Sequence, residues 1–430
     1  MKPTLPQLLA TAFLTIAIVH TFAAKRIHEL SHRFPQGSFF ENALALLGEV
    51  EVVFGFWAGV YLVLRTLVEG YAPVAFFTDH LSFTEPAFVF VIMSIAATRP
   101  VLSAADRMIG LLSQLAPRNM QPVSYYFAAL AVGPLLGSLI TEPAAMTVTA
   151  LMLKARYYDR KMSARFMYST LGALFVNVSV GGTLTSYAAP PVLMVASRWG
   201  WDTAFMLGHF GWKAMLAVII NAGICVMLNR AEIVAAFTQA APTSQKVVRK
   251  APFWVMAVHG LFLMAVVLTS HHMSIFFGLF LFFLGFVTAC SEYNDALKLK
   301  ESLLVAFFLA GLVVLGSDQG WWLMPLLATM KTKVLFLGAT ALTAITDNAA
   351  LTYLGSQVPS LSAPSRYALV AGAVAGGGLT IIANAPNPAG YSILNSAFGK
   401  GGISALHLLA GAAIPTLVAV ICLLLQPGWS

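Results

Sequence analysis

An eight-residue pattern occurs twice in this chain, each time inside an apolar stretch and each time carrying a carboxylate. Residues 140–147 read Ile-Thr-Glu-Pro-Ala-Ala-Met-Thr, and residues 345–352 read Ile-Thr-Asp-Asn-Ala-Ala-Leu-Thr. A second element follows each copy: Gly181-Gly182-Thr183-Leu184-Thr185 after the first, Gly376-Gly377-Gly378-Leu379-Thr380 after the second. Composition identifies the medium around them. Of 430 residues, 59% are hydrophobic and 10% charged, with a mean hydropathy of +0.80. Soluble domains carry roughly a quarter charged residues, so the chain reads as an all-α polytopic membrane protein. An ionisable group at bilayer depth is costly and marks a functional site by default. Two at corresponding places point to one site built by internal duplication.

The net charge of +8 does not indicate nucleic acid, because basic residues of a membrane protein collect in cytoplasmic loops and hold its topology. Cys225, Cys290 and Cys422 lie far apart in or beside apolar runs. They predict neither a disulfide framework nor a zinc site, and no cofactor is expected. The first apolar run, about 5–24, is too long for a signal peptide and is flanked by Lys25-Arg26, which reads as a retained helix.

Apolar segments near spanning length fall at about 5–24, 42–66, 86–98, 163–198, 203–228, 252–270, 274–290, 302–316, 367–395 and 404–425. Two more, 122–153 and 333–357, are interrupted midway by the acidic motifs. Pro143 and Asn348 are poor interior helix residues. If both interrupted stretches are re-entrant hairpins, 18 of the 25 Lys and Arg fall on the cytoplasmic side, as the positive-inside bias requires. Counting them as full crossings would put the basic loop 154–165 outside. The hairpin reading yields two inverted-topology repeats, each with a re-entrant helical hairpin and a broken transmembrane helix. Residues 1–228 form the first, with hairpin 122–153 and broken helix 163–198. Residues 252–430 form the second, with hairpin 333–357 and broken helix 367–395. The polar segment 229–251 is then a cytoplasmic linker, and both termini are periplasmic.

Irregular backbone at membrane depth is tolerated only where it lines a cavity or is buried in protein. The hairpin tips supply two such breaks. Two more are expected at 181–191 (Gly181, Gly182, Pro190, Pro191) and 376–388 (Gly376, Gly377, Gly378, Pro386, Pro388). Convergence of the four would gather free carbonyls and the hydroxyls of Thr141, Thr185, Thr346 and Thr380. Such oxygens suit a hard cation like Na⁺, with a carboxylate giving the site its charge. Asp347 is the first candidate for the group that binds the ion and the proton, and Glu142 is its counterpart; both would ligate a transported Na⁺ transiently. A carboxyl taken out of water favours its neutral form, whereas a bound cation favours the ionised one, so the two compete. Asn348 would orient Asp347 or lend its own oxygen, and Asn384 and Asn387 are expected ligands in the second break. The first break has fewer polar equivalents: Ser186, Tyr187 and, upstream, Asn177. Glu49 and Glu51 near the start of the second span read as interfacial or paired with basic loops, although they could line an ion path. Lys213 is placed either beside a carboxylate or snorkelling outward. His209 and His259 read as hydrogen-bonded core histidines.

The pair of motifs, with the Gly-rich turn running into Asn384-Ala385-Pro386-Asn387-Pro388, resembles the ion-transporter superfamily, and within it the bacterial sodium/proton antiporter branch. The resemblance covers most of the chain. It implies two inverted repeats with hairpins and broken helices, a multi-pass place in the bacterial inner membrane, and a homodimer. In the anion-symporter branch each hairpin tip carries Ser-Asn-Thr. Here the tips read Thr141-Glu142-Pro143 and Thr346-Asp347-Asn348, a departure towards acid that disfavours anionic substrates. The expected activity is therefore exchange of Na⁺, or Li⁺, for H⁺ by alternating access. The alternative is Na⁺- or H⁺-coupled transport of a small organic or inorganic anion. A membrane enzyme fits least, since no Ser/His/Asp set, HExxH or nucleotide loop is present.

Overall fold

Helix boundaries follow from local signals in an otherwise uniformly apolar chain. The computed structural model describes residues 3–160, 162–238 and 251–425. Its first helix, α1 (Leu5–Ser31), opens on a reciprocal cap in which Thr4 and Gln7 exchange side-chain and backbone hydrogen bonds. Then follow α2 (Phe39–Leu47), α3 (Val50–Glu69), α4 (Tyr71–Asp79), α5 (Thr84–Ala96), α6 (Arg99–Gln114), α7 (Gln121–Ile140), α8 (Glu142–Leu153), α9 (Ala164–Gly181) and α10 (Pro190–Trp199). The short α11 (Thr203–Met206) runs through a wide turn at 207–211 into α12 (Trp212–Thr238). The remainder comprises α13 (Phe253–Leu268), α14 (Met273–Ala289), α15 (Leu299–Gly316), α16 (Gly320–Ala328), α17 (Thr332–Thr343), α18 (Asn348–Ser356), α19 (Ala363–Gly376), α20 (Asn387–Leu394) and α21 (Ala405–Leu423). Among the described residues there is no strand.

Six helical stretches among the described residues are long and apolar enough to cross a membrane: 5–31, 50–69, 118–140, 203–236, 299–316 and 405–423. Three of the expected spans differ from the sequence reading. The segment 42–66 is not one helix, because Gly48 ends α2 and Glu49 adopts extended backbone before α3. The segment 86–98 does not end in a loop; after Thr98 the chain bends by 67° into α6, restarted by Pro100 in a first turn where its missing N–H costs nothing. The helix of the last span in the first half continues beyond 228 to Thr238, and most of the expected linker, 239–250, lies outside the described residues.

In lipid, helix association rests on close packing and hydrogen bonds rather than on transfer out of water. Two packed regions result. One joins α7, α8, α9 and α12 to α19 and α21 through buried side chains such as Tyr126, Phe175, Phe210, Tyr367 and Leu408. The other joins α1, α3 and α5 to α13, α14 and α15 through Leu14, Phe54, Phe88, Phe276 and Phe308. Each region contains helices from both halves of the sequence. The motif helices pack crosswise: α8 lies on α20 and α18 on α10, while α7 packs along α9 and α17 along α19. This crossing brings the first acidic motif against the second Gly-rich turn.

Candidate functional site

Helix α7 ends at a sharp turn where Thr141 adopts φ 77°, ψ 151°. It is the only non-glycine residue with positive φ among the described residues. Such backbone costs on the order of 1–3 kcal/mol and persists where the surroundings impose it. The turn starts α8 at Glu142, and Pro143 in the first helical turn forgoes an N–H that would have had no partner. The Glu142 side chain is fully buried. Its Oε2 accepts a hydrogen bond of 2.9 Å from Asn384 Nδ2, across 242 positions of sequence, and its Oε1 is buried without a partner. On the way the carboxyl passes directly over Gly182, where a Cβ would overlap its Oε1, Cγ and Cδ. Glu142 therefore bridges the two irregular turns.

Those turns lie where the Gly and Pro residues place them. Gly181 ends α9, Gly182 enters a single 3₁₀ turn, and Pro190-Pro191 open α10. Gly376 ends α19, Gly377 and Gly378 follow it, and Pro386 caps α20 with Pro388 in its first turn. Ser138, which sequence reasoning did not single out, anchors the first turn. Its Oγ donates to the Gly181 carbonyl at 2.7 Å and accepts from the Leu184 N–H at 2.9 Å, while Thr185 Oγ1 donates to the Ser138 carbonyl at 2.8 Å. In the second turn Asn387 Nδ2 donates to the carbonyls of Gly377 (2.7 Å) and Thr380 (2.8 Å), and Thr380 Oγ1 donates to the Ala344 carbonyl at 2.9 Å. The hydroxyls of Thr185 and Thr380 thus tie each turn to its own motif, and Thr346 Oγ1 donates back to Leu342 O at 2.9 Å.

Asp347 takes a different position from Glu142. One methylene shorter, it turns back as the N-cap of α18, its Oδ1 accepting from the N–H groups of Ala349 (2.8 Å) and Ala350 (3.1 Å). It is half-buried and lines a cavity of about 270 Å³ together with Glu49, Glu51 and Asn384. Asp347 lies within electrostatic reach of Glu142. Asn348 does not orient Asp347. Its backbone N–H donates to Ala383 O at 3.1 Å, its side chain is fully buried, and its amide packs near Gly377 and Ser179.

A set of buried oxygens without hydrogen-bond partners results: Thr141 Oγ1, Glu142 Oε1, Asn348 Oδ1, Asn384 Oδ1 and Asn387 Oδ1. Leaving such a group unmade costs about 1–3 kcal/mol each, and two of them, Glu142 Oε1 and Asn384 Oδ1, belong to the side chains joined by the 2.9 Å bond. The donor chemistry, one carboxylate and neutral oxygens, is that of a hard monovalent cation or of a proton. Among the described residues no group of three or more His, Cys, Asp or Glu is arranged to hold a metal ion.

Lys213, His209, His259, Asn177 and Ser186 make their hydrogen bonds elsewhere, whereas Glu49 and Glu51 line the cavity of Asp347. Lys213 is buried and donates to Tyr367 Oη at 2.9 Å, which in turn donates to Leu423 O at 2.7 Å. His209 bonds Phe205 O, and His259 bonds Val255 O and Asn294. Asn177 donates to Leu130 O, and Ser186 pairs with Thr203 away from Glu142. Glu49 and Glu51 are not paired with basic loop residues: among the described residues neither makes an ion pair within 4.0 Å, and both line the cavity of Asp347. The sequence placed them beside a basic loop, whereas the break at Gly48 and Glu49 starts α3 at the wall of this cavity.

No curated protein matches the chain closely enough to count as a relative. The family model described as "putative Na+/H+ antiporter" matches residues 6–426, so this multi-pass membrane protein belongs to that family, one of transporters rather than enzymes.

Proposed function

We propose that the protein exchanges Na⁺, or Li⁺, for H⁺ across the bacterial inner membrane by alternating access, with cation and proton competing for Glu142 and Asp347. The observation that carries this reading is the hydrogen bond from Asn384 to Glu142, made between halves of the chain, with Glu142 Oε1 and Asn384 Oδ1 both buried and unpartnered. A carboxyl so placed changes charge by taking a proton or meeting a cation, and holding both at once is unfavourable. The crosswise packing of α8 on α20 and α18 on α10 supports two inverted repeats, with α7–α8 and α17–α18 as re-entrant hairpins. Motion of one packed region against the other would expose the site to each face in turn. Among the described residues no Lys, Arg or His lines the cavity beside Asp347, which favours a cation over the anionic substrate of the alternative reading. The homodimer implied by the family is part of the same proposal.

The test is addition of Na⁺ to energised inside-out vesicles with a pH-sensitive dye. Dequenching that saturates with Na⁺, with an apparent affinity that weakens as pH falls, is the expected result. A flat trace between about pH 6 and 9 removes the proposal. Asp347→Asn, which keeps the helix cap, is expected to abolish exchange while leaving the protein folded.

A further inference from the structure

The cavity beside Asp347 is larger than a bare ion requires. At about 30 Å³ per water, its 270 Å³ accommodates roughly nine waters, enough for an alkali cation with its shell. Three carboxyls, Glu49, Glu51 and Asp347, line it between mostly apolar walls that include Phe54 and Phe308, and among the described residues no basic side chain does. The acids do not converge tightly enough to ligate a bare metal. A chamber of this size and negative lining, once filled with water, would concentrate cations without stripping them. A second, independent feature points to a ligand. Asn384 is 1% exposed, forms part of the same wall, and its Oδ1 accepts no hydrogen bond, while its Nδ2 holds Glu142. One amide thus connects the chamber to the dry carboxyl. Glu51 lies on the first turn of α3, within electrostatic reach of Asp347.

We propose that Glu51 is a third carboxyl of the cation path, and that the cavity it shares with Asp347 is a vestibule holding a still-hydrated alkali cation before it meets Glu142. The proposal rests on the antiport reading. A purely structural part for Glu51, complementing the N-terminus of α3, would add stability regardless of Na⁺.

The experiment titrates NaCl, at constant ionic strength, against thermal unfolding of the full-length protein in detergent and against exchange in vesicles. For Glu51→Gln the half-saturating Na⁺ is expected to rise about tenfold in both, equivalent to about 1.4 kcal/mol. The Tm without Na⁺ should stay near wild type, and Glu51→Asp should restore part of the affinity. Val305→Phe, which narrows the chamber without touching an acid, should raise the same half-saturation, keeping the test open if Glu51→Gln folds poorly. Unchanged half-saturation in both variants, with exchange intact, overturns the vestibule and leaves antiport standing. A wild-type protein that neither exchanges nor is stabilised by Na⁺ overturns both.

Discussion

Replacing Gly182 by Ala tests whether the Glu142 carboxyl is held in the position described. The added methyl would occupy space taken by the Glu142 Cγ, Cδ and Oε1, and the turn cannot retreat, because a Cβ at neighbouring Gly181 would already meet the Pro134 carbonyl at 2.8 Å. Overpacking of this kind costs about 1–3 kcal/mol. If Glu142 relieves it by swinging away, the bond to Asn384 is lost, and a hydrogen bond to a charged group is worth about 1.5–3 kcal/mol. Stability should therefore drop by a few degrees in Tm, and Na⁺ affinity by about 10- to 100-fold at 1.4 kcal/mol per decade. A double-mutant cycle separates this from general damage to the turn. With Glu142→Ala in the background the methyl meets no carboxyl, so Gly182→Ala should cost much less, giving a coupling of about 1–3 kcal/mol in thermal or denaturant unfolding. Additive effects within about 0.5 kcal/mol, or a Gly182→Ala protein with wild-type Na⁺ affinity, would refute the placement of Glu142 over this glycine.

Glu142→Gln preserves shape and one acceptor for Asn384, so it should fold with a Tm equal to or above wild type while dequenching in vesicles is lost; retained exchange would remove Glu142 from the mechanism. Asn384→Ala leaves the buried carboxyl without its donor, and should lower Na⁺ affinity by about 10-fold or more in the same titration. Thr141→Gly replaces a residue at φ 77°, ψ 151° with one that adopts that backbone freely, and should raise Tm by an amount equivalent to about 1 kcal/mol; a fall in Tm would mean that the turn is not strained. Ser138→Ala removes both side-chain bonds that hold the first turn, and should destabilise by about 1–3 kcal/mol with a matching loss of exchange rate.

The sequence by itself determined the medium, the helical class and the breaks at the two motifs and their Gly-rich turns, though not the breaks before α3 and α6. Hydropathy and the backbone limits of Gly and Pro are local properties, and in lipid they leave an apolar chain little choice but helix. For that reason Thr141, Gly181, Gly182, Gly376 and Pro386 all mark helix ends in the structure. The family resemblance was legible on the same residues. Only tertiary structure decided which acid is dry. Glu142 and Asp347 hold equivalent places in the two motifs, but the longer side chain reaches over Gly182 to Asn384 while the shorter caps its own helix. Glu49 and Glu51 read locally as neighbours of a basic loop, yet the break before α3 and its packing against α1 and α15 turn them into the cavity of Asp347. A partner hundreds of residues away leaves no local signature in sequence, because its proximity is set by how whole helices cross and not by the residues beside it.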